Sequence, residues 1–167
     1  SDIGDSFYLS KVATKVSQDR IIFAGVEFMG ESAKILNPKK RVFMPDMNAD
    51  CPMAHMADKD EILALREKYD DIAVVCYINS TAELKKYSDV CVTSSNAVKI
   101  VKNLPNKNIF FIPDRNLGSY VAKQCPDKNF IFNNGCCPRH VVITKDMVLK
   151  AKELHPEARF AAHPECT

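Results

Sequence analysis

The sequence predicts an α/β protein of pseudo-symmetric, repeated three-layer α/β/α units with parallel sheets. Three observations lead there. Short apolar runs alternate with helical ones along the whole chain. The runs are apolar at consecutive positions, as in "IAVVCY" and "NIFFIP", which marks strands covered on both faces. The chain also matches itself at a fixed offset. Strict alternation of the two element types makes the helices crossovers between parallel strands.

The elements follow in order. "SFYLSKVATKV" (6–16), "EFMGESAKIL" (27–36) and "KDEILALREKY" (59–69) space their apolar residues three and four apart and read as helices. So do "TAELKKY" (81–87), "SNAVKIVKNL" (95–104), "NLGSYVAK" (116–123) and "KDMVLKAKEL" (145–154). Between them "RIIFAG" (20–25), "KRVFMP" (40–45), "IAVVCY" (72–77) and "DVCVT" (89–93) are short, apolar and bounded by turn residues, as strands are. "NIFFIP" (108–113), "NFIFN" (129–133) and "ARFAA" (158–162) complete the strand set. The dipeptides "NP", "PD" and "PN" punctuate the joints.

An offset of 86 residues lays Cys51-Pro52 on Cys137-Pro138 and Lys59-Asp60 on Lys145-Asp146. Eight of the 34 positions from 48 to 81 are then identical to their counterparts, where chance gives roughly two. The chain therefore divides into a unit over 1–70 lacking its first strand, a complete unit over 71–157, and the opening strand of a third over 158–167. With Ser1 rather than Met at its start, the pattern is that of a chain cut on both sides.

The repeat sorts the adjacent thiols of "NNGCCPRH" (133–140). Cys137 has a counterpart in Cys51, whereas Cys136 falls opposite Asp50. Cys137 is the working thiol and Cys136 a packed neighbour. Ligands of open parallel sheets bind beyond the C-terminal strand ends. At those points stand "GDS" (4–6), "NADC" (48–51), "YINS" (77–80), "TSSN" (93–96), "PDRN" (113–116) and "NNGCCPRH". "AHPECT" (162–167) repeats "CYINST" (76–81), setting His163 on Tyr77 and Glu165 on Asn79. Three equivalent cysteines from three units would meet at one centre. Three thiolates are one short of a closed site, and a cubane iron–sulfur cluster so held keeps one iron open as a Lewis acid. The plainer alternative makes Cys51 and Cys137 buried core residues of the repeat.

Composition narrows the classes. Hydrophobic content of 46% with 26% charged residues suits a soluble, core-forming protein. A net charge of +2, spread along the chain, argues against a dedicated nucleic-acid or membrane-surface binder. No apolar run approaches the roughly 18 residues that a span requires. The seven cysteines include no CxxC spacing, and Cys76, Cys91 and Cys125 read as reduced core thiols, which places the protein in the cytoplasm.

The segments "GDS", "FAGVEFMGESAKILNP", "MPDMNADCPMA", "YINSTAELKKYSDVCVTSSNAVKIV", "PDRNLGSYVA", "GCCPRH" and "HPEC" resemble the quinolinate synthase family, in order and over nearly the whole chain. The resemblance implies three α/β/α domains around one 4Fe–4S cluster. It implies a transferase of NAD biosynthesis that condenses iminoaspartate with dihydroxyacetone phosphate to quinolinate. A functional contact with an aspartate-oxidising enzyme supplying iminoaspartate goes with it. Carried over by position, Cys51 and Cys137 resemble two of the three cluster ligands. Ser6, Ser94, Tyr77-Ile78-Asn79 and His163-Pro164-Glu165 resemble the substrate-binding groups. Tyr77 and Glu165, assisted by His163 or His140, are the proton shuttles that dehydration and tautomerisation need. His140 is a candidate substrate contact. Cys166 sits opposite Ser80 in the repeat, so it is not the missing ligand.

Plainer roles stand beside these. Ser6 and Ser94 each precede a helix and suit N-caps. Tyr77 suits an interface aromatic, Asp114 and Arg115 an ion pair or turn, and His55 and His155 the surface. Two rival functions remain: a non-catalytic metal or small-anion binding module, and a thiol-redox protein using Cys136 and Cys137. The second is weak, because adjacent cysteines close only a strained ring.

Overall fold

The computed structural model describes residues 2–166. Its elements alternate as the sequence predicts: α1 (Ser6–Lys15), β1 (Arg20–Ile22), α2 (Glu27–Leu36), β2 (Arg41–Phe43), a 3-10 turn (Pro52–His55), α3 (Lys59–Lys68), β3 (Ile72–Tyr77), α4 (Ala82–Lys86), β4 (Val90–Val92), α5 (Ala97–Asn103), β5 (Asn108–Ile112), α6 (Arg115–Gln124), β6 (Asn129–Phe132) and α7 (Lys145–Leu154). All strand pairs are parallel, so the fold is α/β.

β1 and β2 form a two-stranded sheet, and the larger sheet has the order β4-β3-β5-β6. Alternation along the two central strands builds two cores. Ala73, Val75, Tyr77, Ile109 and Phe111 face one side, against Ala97 and Val101 of α5 and Leu117 and Val121 of α6. Ile72, Val74, Cys76, Phe110 and Ile112 face the other, against Ile62 of α3 and Leu84 of α4. Helices on both faces oblige β3 to be buried throughout, hence its unbroken apolar run.

Helix starts are fixed by short polar side chains. Asp5, Asp58, Thr81, Asp114 and Thr144 each accept a backbone N–H from the first turn of the helix that follows. At the other end of α1, Lys40 Nζ donates to the Ala13 and Val16 carbonyls at 2.6 Å, supplying a cation and donors where the helix leaves its last carbonyls unpaired. Two contacts join the smaller sheet's helix to the larger unit: Lys85 Nζ donates to Ser32 Oγ at 2.9 Å, and the Ala82 N–H donates to Glu31 Oε2 at 2.7 Å.

α3 runs from Lys59 to Lys68 and α7 from Lys145 to Leu154, the same length at the same offset of 86. The pairing of β1 with β2 corresponds to that of β5 with β6, parallel in both cases.

Two expectations need correction. Residues 158–162 form no strand and are exposed, because among the described residues none lies alongside to complete a ladder. Cys91 is not a core thiol. It lies on β4, which borders only one strand, and it is exposed, whereas Cys76 and Cys125 are buried as expected.

Candidate active site at the strand ends

In the order β4-β3-β5-β6 the chain leaves β3 to one side, for β4, and returns to the other, for β5. Crossovers that part in this way open a crevice at the C-terminal ends of the diverging strands. Tyr77 ends β3, and Asp114 follows β5 by two residues.

Asp114 is fully buried and organises the crevice. One carboxylate oxygen accepts the Asn116 and Leu117 N–H groups, both at 2.8 Å, and so starts α6. The other accepts the Cys137 N–H at 3.1 Å. The loop bearing Cys137 is also anchored by the Arg115 N–H, which donates to the Gly135 carbonyl at 2.8 Å, and by Asn133 Nδ2, which donates to the Met56 carbonyl at 2.8 Å. Gly135 passes so near the end of β5 that a Cβ would collide with the Pro113 carbonyl. Glycine is the residue for such an approach.

Cys51 and Cys137 are set up alike. Each precedes a proline and opens a tight turn: the Ala54 N–H donates to the Cys51 carbonyl at 2.9 Å, and the His140 N–H to the Cys137 carbonyl at 3.1 Å. Each cysteine N–H is also held by a carboxylate, Asp50 for Cys51 at 2.7 Å and Asp114 for Cys137. Both side chains border the apolar cluster that contains Tyr77, Cys137 within it and Cys51 packed against it. Burial pushes the Cys137 thiol up, and the backbone N–H groups of Arg139 and His140 partly offset this. Cys136, next door, is half-buried.

The segment 163–166 brings Glu165 across the crevice. Its carboxylate is 2% exposed, with Oε2 2.7 Å from His140 Nδ1 and 3.6 Å from His163 Nδ1. The His140 ring nitrogen is off the line that an aligned hydrogen bond needs, so this is a close polar contact, and Glu165 Oε1 is buried without a hydrogen-bond partner. The two imidazoles stack with centroids 5.0 Å apart. Asn116 Nδ2 donates to the Glu165 carbonyl at 3.2 Å and ties the segment to α6. Burial, and then the neighbouring Asp114, push the Glu165 carboxyl up; Tyr77, His140 and His163 pull the other way. Burial, and then the Glu165 carboxylate, push the Tyr77 phenol far above its ordinary value. Both shifts favour the protonated form of the group concerned. Cys137, His140 and Glu165 place ligand atoms within 4.8 Å of one another, a donor set able to hold a metal ion.

The structure thus gathers Tyr77, Cys137, His140, His163 and Glu165 at one point. Ile78 is buried behind Tyr77, its N–H donating to the Val92 carbonyl at 2.8 Å, while Asn79 and Pro164 are half-buried beside the group. Ser6 opens α1 next to Phe7, which packs on the same cluster, and Ser94 lies in the turn after β4. Neither serine is an N-cap: Asp5 and Asn96 hold those positions. The sequence reading missed Asp114, taken there for an ion pair or turn. Its signal was legible in the aspartate preceding the helical run of "PDRNLG". No membrane-length apolar helix occurs among the described residues.

The family model described as "Quinolinate synthetase A protein" matches residues 1–167. A quinolinate synthase of Fusobacterium nucleatum is 61% identical over 98% of this chain and 55% of its own length. Those of Caldicellulosiruptor saccharolyticus and Clostridioides difficile are 56% and 50% identical, again over 98% of this chain and 54% of theirs. The chain spans about half the length of the curated relatives it matches.

Proposed function

Because this chain belongs to the quinolinate synthetase A protein family, we propose that the protein containing it condenses iminoaspartate with dihydroxyacetone phosphate to form quinolinate, in the cytoplasm. The observation that carries this reading is the buried pair of Tyr77 and Glu165, flanked by the half-buried His140 and His163, beside the Cys137 turn. Its chemistry fits a condensation that sheds water.

Both substrates and the product are anions. Hydroxyls of Ser6 and Ser94 and the Asn79 amide, at strand ends and helix starts, offer donors to carboxylate or phosphate oxygens. Burial favours the protonated forms of Glu165 and Tyr77, so they can give a proton to a departing hydroxyl and recover one from carbon or nitrogen. His140 and His163, both against the Glu165 carboxylate, orient it and pass protons outward. Asp114 keeps Cys137 in register by holding its N–H.

The residues present fit an iron–sulfur group on two counts. Cys51 and Cys137 border one apolar cluster with matched backbone turns, and a carboxylate oxygen of Glu165, which lies near Cys137, lacks a partner. Cys51 and Cys137 would hold two corners of a 4Fe–4S cluster, which supplies Lewis acidity at an open iron. A further thiolate from chain beyond these residues would complete the set. Contact with an enzyme that oxidises aspartate would deliver iminoaspartate without exposing it to water.

The test is direct. The protein in its full length, purified without oxygen, is incubated with iminoaspartate and dihydroxyacetone phosphate, and quinolinate is measured by chromatography. Quinolinate formation that depends on both substrates supports the reading. Binding of either substrate without turnover would instead favour a small-anion binding module.

A further inference from the structure

β3 and β4 are in a register that sets Cys76 directly opposite Cys91. Opposed residues point to the same face of a sheet, and adjacent strands lie about 4.8 Å apart, inside the Cα separation that a disulfide spans. The two thiols differ in access. Cys76 is fully buried against Ile62 and Leu84, while Cys91 is exposed at the sheet edge. The Lys85 amine of α4 is within electrostatic reach of both sulfurs and donates a hydrogen bond to Ser32 Oγ at 2.9 Å. This cluster lies outside the crevice of Glu165 and Cys137, and the proposed reaction makes no use of it.

We propose that Cys91 and Cys76 are a redox pair, in which a hydroperoxide oxidises Cys91 and Cys76 then closes a reversible disulfide between β4 and β3. In the first step the Cys91 thiolate attacks the distal peroxide oxygen. An S–O bond forms, the O–O bond breaks, and the departing alkoxide or hydroxide takes a proton to give an alcohol or water. In the second step the Cys76 sulfur attacks the Cys91 sulfenic acid. The S–S bond forms, the S–O bond breaks, and the hydroxyl leaves as water with the Cys76 proton. Two thiols and one hydroperoxide thus give one disulfide, one alcohol or water, and one further water. An external dithiol returns the pair to its reduced form.

The surroundings suit each sulfur to its step. The neighbouring Cys76 thiol, and then the Lys85 cation, lower the Cys91 thiol to about 7, near the value at which attacking thiols are most effective in neutral solution. Cys76 is pushed well up, by Cys91 and by burial, and stays a thiol until a partner forms beside it. The ionisable groups around Cys91 are Cys76 from β3, Lys85 from α4, and Glu31 from α2, which acts on Lys85. Cys91 is thus the accessible, activated thiol and Cys76 the resolving one.

The experiment uses the reduced full-length protein, treated with one equivalent of hydrogen peroxide, alkylated, digested and mapped by mass spectrometry. A peptide pair joined through Cys76 and Cys91, two hydrogens lighter and released by dithiothreitol, is expected. Cys76→Ser is expected to leave a Cys91 sulfenic acid that dimedone captures, and Cys91→Ser to leave Cys76 unoxidised. Without peroxide, iodoacetamide alkylation of Cys91 is expected to rise with a midpoint near pH 7. Lys85→Met moves that midpoint upward and Lys85→Arg restores it. The proposal is overturned if Cys91 stays fully alkylatable after peroxide. It is equally overturned if Cys91 passes to sulfinic acid while Cys76 remains free. Because the readout is mass rather than turnover, it is independent of quinolinate formation.

Discussion

Glu165 concentrates the chemistry of the site into one side chain. A carboxyl 2% exposed, raised chiefly by burial and facing two imidazoles and a phenol, is built to change protonation state with little rearrangement. Glu165→Gln keeps the size and removes the titration. In the full-length protein this variant is expected to lose roughly 10²-fold or more in turnover, the usual range for a missing acid–base group, with its iron content unchanged. Undiminished turnover would remove Glu165 from the reaction. The same change has a signature in stability. The folded Glu165 binds its proton more tightly than an ordinary carboxyl of value 4.5. Its contribution is therefore full below about pH 4.5 and declines as pH rises through the folded value. Melting of the metal-free chain is expected to show the Gln variant gaining on the parent as pH rises above the ordinary carboxyl value of 4.5, and a constant gap would refute the assignment. The adjacent thiols give a third test: Cys137→Ser is expected to abolish iron–sulfur absorption in the full-length protein, and Cys136→Ser to leave most of it. Equal loss from both would end the distinction between them.

Among the elements, the loop from Asn133 to His140 decides whether the site exists. It is fixed by the Asp114 carboxylate, the Arg115 N–H and the Asn133 amide, and it can pass over the end of β5 only because residue 135 has no side chain. Gly135→Ala places a methyl against the Pro113 carbonyl, and backbone offers no flexible end to yield. A destabilisation of roughly 1–3 kcal/mol is expected for such overpacking, measurable by urea unfolding, together with lost cluster binding in the full-length protein. Gly118→Ala, which meets the rings of Phe111 and Phe132 instead, is the control. Side chains can shift there, so it is expected to disturb packing without dislodging the Cys137 turn.

Across the whole molecule, apolar surface gathers at the C-terminal end. α7 has no buried residue, and Met147, Leu149, Leu154 and Phe160 are 45–67% exposed. A groove of about 570 Å³ runs between α7 and residues 160–166, bordered by His140 and His163. An apolar face of this kind marks a surface that something covers, and under the three-unit reading it is further α/β chain that covers it. Residues 1–167 alone are accordingly expected to bind iron substoichiometrically, form no quinolinate, and bind a hydrophobic dye. Extending the chain to the length of its relatives is expected to abolish dye binding and restore the cluster and activity together. A stable cluster and turnover in the 167 residues alone would contradict the three-unit reading.

The sequence by itself determined the element order, the parallel α/β class and the equivalence of Cys51 with Cys137. Each is written in local signals: consecutive apolar runs, helical spacing, and a repeat whose offset α3 and α7 reproduce. Only the tertiary structure decided which polar groups meet. Asp114 reaches Cys137 across 23 residues, and Asn116 reaches Glu165 across 49. Such encounters depend on strand order, which no local pattern encodes. The same holds for Cys91. Its flanking valines read as core, but burial depends on what lies beyond the edge strand, and its place opposite Cys76 depends on register. Residues 158–162 show the converse: an apolar run carries the propensity for a strand, yet a strand exists only beside another.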